Sequence, residues 1–221
     1  MPSQSETHDH HHDYEHDHDH TPITHDGEPG YFELLETALR ELLIEHNLIT
    51  ADEIRRQIEV LDSRTPALGA KIVARAWTDP EFRNKLLENG RATCEEVGIS
   101  FYDDTDLIVL ENTDKVHNLI VCTLCSCYPR PVLGLPPDWY KSRNYRARAV
   151  IEPRAVLAEF GTKLSEEVEV RVHDSTATLR YLVLPMRPDG TDDYDEEQLA
   201  ALVTRDAMIG VIPVRINQEA A

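Results

Sequence analysis

Apolar positions along this chain follow two different periods. In YFELLETALRELLIEHNLI, Phe32, Leu35, Leu39, Leu42 and Leu43 recur at helical spacing and predict an amphipathic helix. Thr50 precedes ADEIRRQIEVLDSR with Glu53 at the capping-box position, so a second helix is expected there. Pro66 opens a third in PALGAKIVARAWTD. Asp79 and Pro80 open a fourth in EFRNKLLENG, which Gly90 closes. Cys94 falls in ATCEEVG on another predicted helix, where a thiol reads as a small buried hydrophobe.

From residue 106 the period shortens. DLIVLEN and HNLIVCT are rich in β-branched residues and bounded by polar turns, which predicts strands. A proline-rich loop, YPRPVLGLPPDWY, follows, and short helices are expected over 140–150 and 153–160. EVEVRVHD and LRYLVLPMR alternate as strands, and DEEQLAALVTRDAMIGV predicts a helix with a short extension. Helices, then strands, then short helices and strands again make an α+β fold. Three segments follow: a 1–30 tail, a 31–97 helical arm that needs another surface to pack on, and a 98–221 α+β domain.

Composition narrows the partners. The formal charge is −19 over 221 residues, which excludes a nucleic-acid backbone and an anionic membrane surface as partners. It leaves room for a more basic partner subunit. No apolar run reaches the roughly 20 residues of a membrane span, and no basic region followed by an apolar stretch marks a secretory signal. A cytoplasmic protein is expected. His8, His10, His11, His12, His16, His18, His20 and His25 supply eight of the eleven histidines and alternate with acidic residues. So polar a tail is expected to be disordered, either as a solvated acidic segment or as a weak trap for divalent metal.

Three of the four cysteines, Cys122, Cys125 and Cys127, fall within six positions in CTLCSC. Structural zinc takes four ligands, commonly as two separated pairs, and there is no second pair here. His117 lies on the same predicted strand, about 16 Å from Cys122 at roughly 3.3 Å per residue. An iron–sulfur cluster lacks ligands for the same reason. A redox pair of Cys122 and Cys125 leaves Cys127 unexplained.

The backbone completes a better set. The sulfur of Cys125 and the deprotonated amide nitrogen of Ser126 close a six-membered chelate ring. The nitrogens of Ser126 and Cys127 close a five-membered ring, as do the nitrogen and sulfur of Cys127. Cys122 then stands where it can give an axial sulfur, and one position stays open. Amide nitrogens are very strong donors, so the set suits a low-spin trivalent ion acting as a Lewis acid.

CTLCSC, followed by YPRPVLGLPPDWYK and YRARAVIEPRAVLAEFG, resembles the metal-binding alpha subunit of nitrile hydratase. EVEVRVHDSTATLRYLVLPMRP and EEQLAALVTRDAMIGV resemble the same subunit, so the likeness runs from residue 31 to about 213. The cobalt subunit of thiocyanate hydrolase shares the pattern.

The resemblance implies a layered α-β-β-α metal-binding domain preceded by the helical arm. It implies Cys122 as axial thiolate, Cys125 as sulfinate and Cys127 as sulfenate, with the nitrogens of Ser126 and Cys127 completing the plane. Thr123 matches the cobalt-type motif, so Co(III) is expected, with iron as the alternative. A second, beta-type subunit would supply arginines to the oxidised sulfurs, and an activator protein would assist maturation. Nitrile hydratases usually carry Trp where this chain has Arg130; thiocyanate hydrolase carries Arg, which suits an anionic substrate.

The expected function is therefore hydration of a nitrile to its amide. Cys127, Ser126 and Arg130 are the expected catalytic residues, and Cys122, Cys125, Ser126 and Cys127 the metal site. The attacking group would be either the sulfenate oxygen of Cys127 or an activated water. Thiocyanate hydrolysis to carbonyl sulfide and ammonia is the alternative on the same site, and a non-catalytic metal-handling protein is the alternative outside enzymes. Arg146, Arg148 and Arg154 are expected to pair with acidic neighbours or a partner. Tyr140 and Tyr145 either pack with satisfied hydroxyls or bond near the site. Glu111 and His117 read as turn polarity, and Asp206 stays open between structural and site-supporting roles.

Overall fold

Four strands pair in two parallel couples. The computed structural model describes residues 30–101, 104–125 and 127–216. Its elements in chain order are α1 (Tyr31–Glu45), α2 (Ala51–Asp62), α3 (Pro66–Thr78), α4 (Pro80–Glu88), α5 (Gly90–Glu96), β1 (Asp106–Glu111), β2 (Val116–Val121), α6 (Arg130–Leu133), α7 (Asp138–Lys141), α8 (Arg143–Ile151), α9 (Pro153–Glu159), β3 (Glu169–Asp174), β4 (Leu179–Leu184), α10 (Glu196–Leu202) and α11 (Arg205–Ile209). β1 pairs with β4 and β2 with β3. The second couple runs in register from Val116 opposite Glu169 to Val121 opposite Asp174. Parallel pairing requires a long crossover, and α6 to α9 supply it between β2 and β3. The mixture of helices and small sheets is the expected α+β class.

The chain divides into two units, residues 1–51 and 52–221. Among the described residues of the first, α1 buries no side chain; Phe32, Leu35, Leu39 and Leu42 are all at least half exposed. In the second, α3, α4 and α5 bring Ile72, Val73, Phe82, Leu86 and Cys94 into the same core as Leu119, Ile120, Leu182 and Leu184. The helices over 66–97 thus contribute to the core of this unit. Cys94 is fully buried, and burial pushes its thiol up to about 12. The expected tail over 1–29 lies outside the described residues.

Local chemistry sets the breaks. The expected helix over 140–150 starts afresh at Ser142, whose hydroxyl accepts the Tyr145 N–H at 3.1 Å. The expected helix near the C-terminus is two helices, because Thr204 caps α11 by accepting from the Ala207 N–H at 3.3 Å. α11 ends at Gly210, in the left-handed region at φ 90°, and a Cβ there would strike the Asn118 carbonyl of β2. β2 is therefore closed in: His117 to Val121 are all buried. The strand delivers Cys122, also fully buried, at its carboxyl end.

Candidate metal centre

Just past β2 the chain turns back on itself and gathers its thiols. Cys122 Sγ lies 3.4 Å from Cys125 Sγ, and Cys125 Sγ lies 3.1 Å from Cys127 Sγ. All three sulfurs fall within 4.8 Å of one another. The Cys125 N–H points back to Cys122 Sγ at 3.3 Å, which tightens the turn. Exposure is graded: Cys122 is buried, Cys127 partly buried and Cys125 exposed. Burial first, and then the neighbouring Cys125 sulfur, push the Cys127 thiol up to about 12, with Arg180 pulling the other way. Ser126 lies outside the described residues.

Three tethers hold this turn from outside. Asp174, at the end of β3, accepts from the Thr123 N–H at 2.9 Å and from the Thr123 hydroxyl at 2.5 Å. The register explains its reach: Asp174 stands opposite Val121, and the next residue, Ser175, donates its N–H to the Val121 carbonyl at 2.8 Å. Tyr140 is fully buried and donates its hydroxyl to the Cys127 carbonyl at 2.9 Å. Arg146, in the first turn of α8, donates from its guanidinium to the Cys125 carbonyl at 2.9 Å.

An aromatic floor stiffens these tethers. Tyr128 meets Tyr140 edge-on at 5.1 Å, and Trp139 meets Tyr145 and Phe160 at 4.9 and 4.8 Å. Tyr145 donates its hydroxyl to the Ile120 carbonyl at 2.6 Å, bolting α8 to β2. Both Tyr140 and Tyr145 thus have satisfied hydroxyls, and Tyr140 also touches the site. Burial raises the pKa of both phenols, so they stay protonated and remain donors.

The other expected residues sort as follows. Arg130 opens α6, and its exposed side chain makes no hydrogen bond or ion pair among the described residues. Arg148 grips Glu159 at 3.0 and 2.5 Å and also meets Glu152, while Arg154 holds the Ser165 and Val168 carbonyls. Glu111 pairs with Arg83 through two contacts of 2.6 and 2.5 Å. His117 is buried away from the thiols: its Nε2–H donates to the Gly210 carbonyl at 2.7 Å. Asp206 pairs with Arg205 at 3.3 Å.

Sequence reasoning missed Asp174 and the separate task of Arg146. The available signal was that HD closes EVEVRVHD, placing a carboxylate at a strand's carboxyl end, where open sheets gather functional groups.

The donor chemistry fits one metal ion held by sulfur. Three thiols converge without a disulfide, on a turn braced from three sides, with one sulfur buried and one open to solvent. A helix-and-strand unit bearing such a cysteine claw defines a class of metal-binding subunit. The family description "Nitrile hydratase, alpha chain" matches residues 30–212, and the chain belongs to that family.

Among its relatives is the alpha subunit of the low-molecular weight cobalt-containing nitrile hydratase of Rhodococcus rhodochrous. It is 55% identical over 175 residues, covering 79% of this chain and 84% of that one. The gamma subunit of thiocyanate hydrolase from Thiobacillus thioparus is 46% identical over 191 residues, covering 81% and 79%. A solved structure of recombinant thiocyanate hydrolase with partially modified cobalt centres superposes with a TM-score of 0.79 at 44% identity. It covers 85% of this chain and 92% of that one. No helix among the described residues is long and apolar enough to cross a membrane.

Proposed function

We propose that this chain is the metal-binding alpha subunit of a cobalt-type nitrile hydratase, which adds water across a C≡N bond to give an amide. The observation that carries the reading is the convergence of Cys122, Cys125 and Cys127 within 4.8 Å, in a chain of this family. Cobalt is favoured by Thr123 in CTLCSC and by the cobalt-containing relatives. Cys122, Cys125 and Cys127 would hold it through sulfur, and Ser126 and Cys127 through backbone nitrogen. Bound there, Co(III) would supply Lewis acidity toward a nitrile or a water.

The chain's own residues prepare that site. Cys122 offers a buried sulfur, and the family resemblance implies oxidation of Cys125 to sulfinate and of Cys127 to sulfenate. The tethers from Asp174, Tyr140 and Arg146 hold the turn so that little reorganisation is needed on loading. Oxidised sulfurs are anions and call for arginine partners. A beta-type subunit would supply them, docking in part on the exposed apolar side of α1, and an activator protein would load the metal. The layered α-β-β-α order belongs to this reading; α8 is joined to β2 through Tyr145, and α3 packs against α11.

Arg130 supports a second reading. Exposed and unpaired among the described residues, it suits an anion, so thiocyanate is the competing substrate. The test is an assay of the complete complex on simple nitriles and on thiocyanate, with intact mass and metal analysis of the same sample. Nitrile turnover, cobalt near one per chain, and added oxygens on Cys125 and Cys127 are expected. Thiocyanate turnover without nitrile turnover would replace the first reading with the second. Exchangeable zinc at unoxidised thiols would end both.

A further inference from the structure

The three tethers on the cysteine turn are chemically unequal. Tyr140 holds the Cys127 carbonyl, whose peptide partner is the nitrogen of Tyr128; that nitrogen has no part in the claw. Asp174 holds the N–H and hydroxyl of Thr123, again outside it. Arg146 holds the carbonyl of Cys125, and that carbonyl is conjugated through its peptide bond to the nitrogen of Ser126. When a peptide nitrogen binds a metal after losing its proton, the negative charge spreads onto the oxygen of the same peptide. A cation donating a hydrogen bond to that oxygen favours the anionic form, as donors at an oxyanion hole do.

The geometry is preset. Arg146 follows Tyr145, whose hydroxyl is bonded to Ile120 of β2, and Ser142 caps the same helix turn. The guanidinium is therefore carried on a helix fastened to the strand that ends in Cys122. Its Nε is buried with no hydrogen-bond partner among the described residues, so the group holds a donor in reserve beside the turn.

We propose that Arg146 is a positioning residue for the metal's nitrogen ligand. It neutralises the charge on the Cys125–Ser126 peptide and so stabilises cobalt in the claw. This rests on the reading of CTLCSC as a nitrogen–sulfur cobalt site. It also separates Arg146 from its neighbours Arg148 and Arg154, which are committed to carboxylates and loop carbonyls.

The experiment compares the complete complex carrying the wild-type chain, Arg146→Lys, Arg146→Gln or Arg146→Met, each produced with cobalt. Cobalt per chain is measured before and after a challenge with EDTA, together with the metal-centred absorption spectrum and the Tm. Gln and Met are expected to lose cobalt at least about tenfold faster, with an altered spectrum, as supporting groups around metal ligands usually do. Lys, which keeps the charge, is expected to stay within about threefold of wild type.

A Gln variant with the wild-type spectrum and retention would overturn the proposal. So would equal failure of Lys and Gln accompanied by a matching fall in Tm, since that is the mark of a merely structural arginine. If the Met variant does not assemble, the Lys and Gln pair decides. A wild-type complex that takes up no cobalt would instead sink the reading on which this one rests.

Discussion

Asp174 accepts two hydrogen bonds from a single residue, Thr123: one from its backbone N–H at 2.9 Å and one from its hydroxyl at 2.5 Å. The pair joins the end of β3 to the residue directly after Cys122, so the strand register is transmitted to the thiol turn. Asp174→Asn keeps the size but loses an anionic acceptor. Cobalt content or activity of the complex is expected to fall about tenfold or more. Thr123→Ser retains both donors and is expected to stay close to wild type. Metal analysis of the three complexes side by side checks this; equal cobalt in Asp174→Asn and wild type would show that the pair only decorates the turn.

Three of the four thiols converge, and the fourth, Cys94, is buried in the core. Cys122→Ser, Cys125→Ser and Cys127→Ser each remove a sulfur from the converging set, and each is expected to lower activity by at least about a hundredfold with loss of cobalt. Cys94→Ala removes a fully buried side chain far in sequence from the turn. It is expected to cost about 1 kcal/mol of stability, as a small core truncation does, and to leave cobalt at the wild-type level. Denaturation curves and metal counts on the same four proteins make the comparison. Loss of cobalt from Cys94→Ala would show that this thiol is part of the metal centre after all.

Much of this arrangement was legible from residue types and spacing. Period 3.6 before residue 97 matches the helices there, and β-branched or alternating runs bounded by polar turns after 106 match the four strands. CTLCSC pointed to a metal site through its three close sulfurs and its resemblance to the family motif, and the three sulfurs do converge within 4.8 Å. What stayed hidden depends on contacts between distant residues. Asp174 reaches Thr123 only through the parallel pairing of β2 with β3, which no local pattern specifies. The three arginines of YRARAVIEPR looked alike, yet a helix turn sends Arg146 to Cys125 and Arg148 to Glu159. That α3 to α5 share a core with the strands is hidden for a similar reason. An amphipathic helix declares that it has an apolar side, and does not declare that α3 to α5 would find their surface within the same unit.

Under the proposed function, Arg130 is the residue on which substrate charge would turn. Its side chain is exposed and makes no ion pair among the described residues, so its removal breaks no ion pair among them. Arg130→Trp is expected to lower thiocyanate turnover by about tenfold relative to nitrile turnover, the scale of one lost charge-assisted contact. The Tm should be unchanged. The ratio of the two kcat/KM values in the complete complex is the measurement. An unaltered ratio would remove Arg130 from the specificity argument and leave it as a surface residue.

His117 is expected to contribute to the acid limit of the fold. Its Nε2–H donates to the Gly210 carbonyl at 2.7 Å, and its Nδ1 faces the Asn112 amide nitrogen at 3.5 Å. Asn112 is held in that orientation, because its oxygen already accepts the N–H and the side-chain amide of Asn118 at 2.7 and 3.1 Å. A second proton on the imidazole would therefore face the hydrogens of a fixed amide. Burial lowers the His117 pKa below its ordinary value of 6.5, and burial together with Arg171 lowers that of His173. A folded-state pKa below the unfolded one means that the unfolded chain takes up protons first. The stabilisation from a neutral His117 is thus fully present above about pH 6.5 and is lost as pH falls through the lowered folded value. His117→Gln keeps a donor toward Gly210 but cannot titrate. It is expected to be less stable at pH 8, by about 1–3 kcal/mol if the Gly210 contact is weakened. Between pH 7 and pH 5 its Tm should fall less steeply than that of the wild type, with His173 and the arginine-paired carboxylates Glu159 and Glu169 contributing to the slope that remains. Parallel Tm curves for the two proteins over that interval would mean that His117 does not set the acid limit.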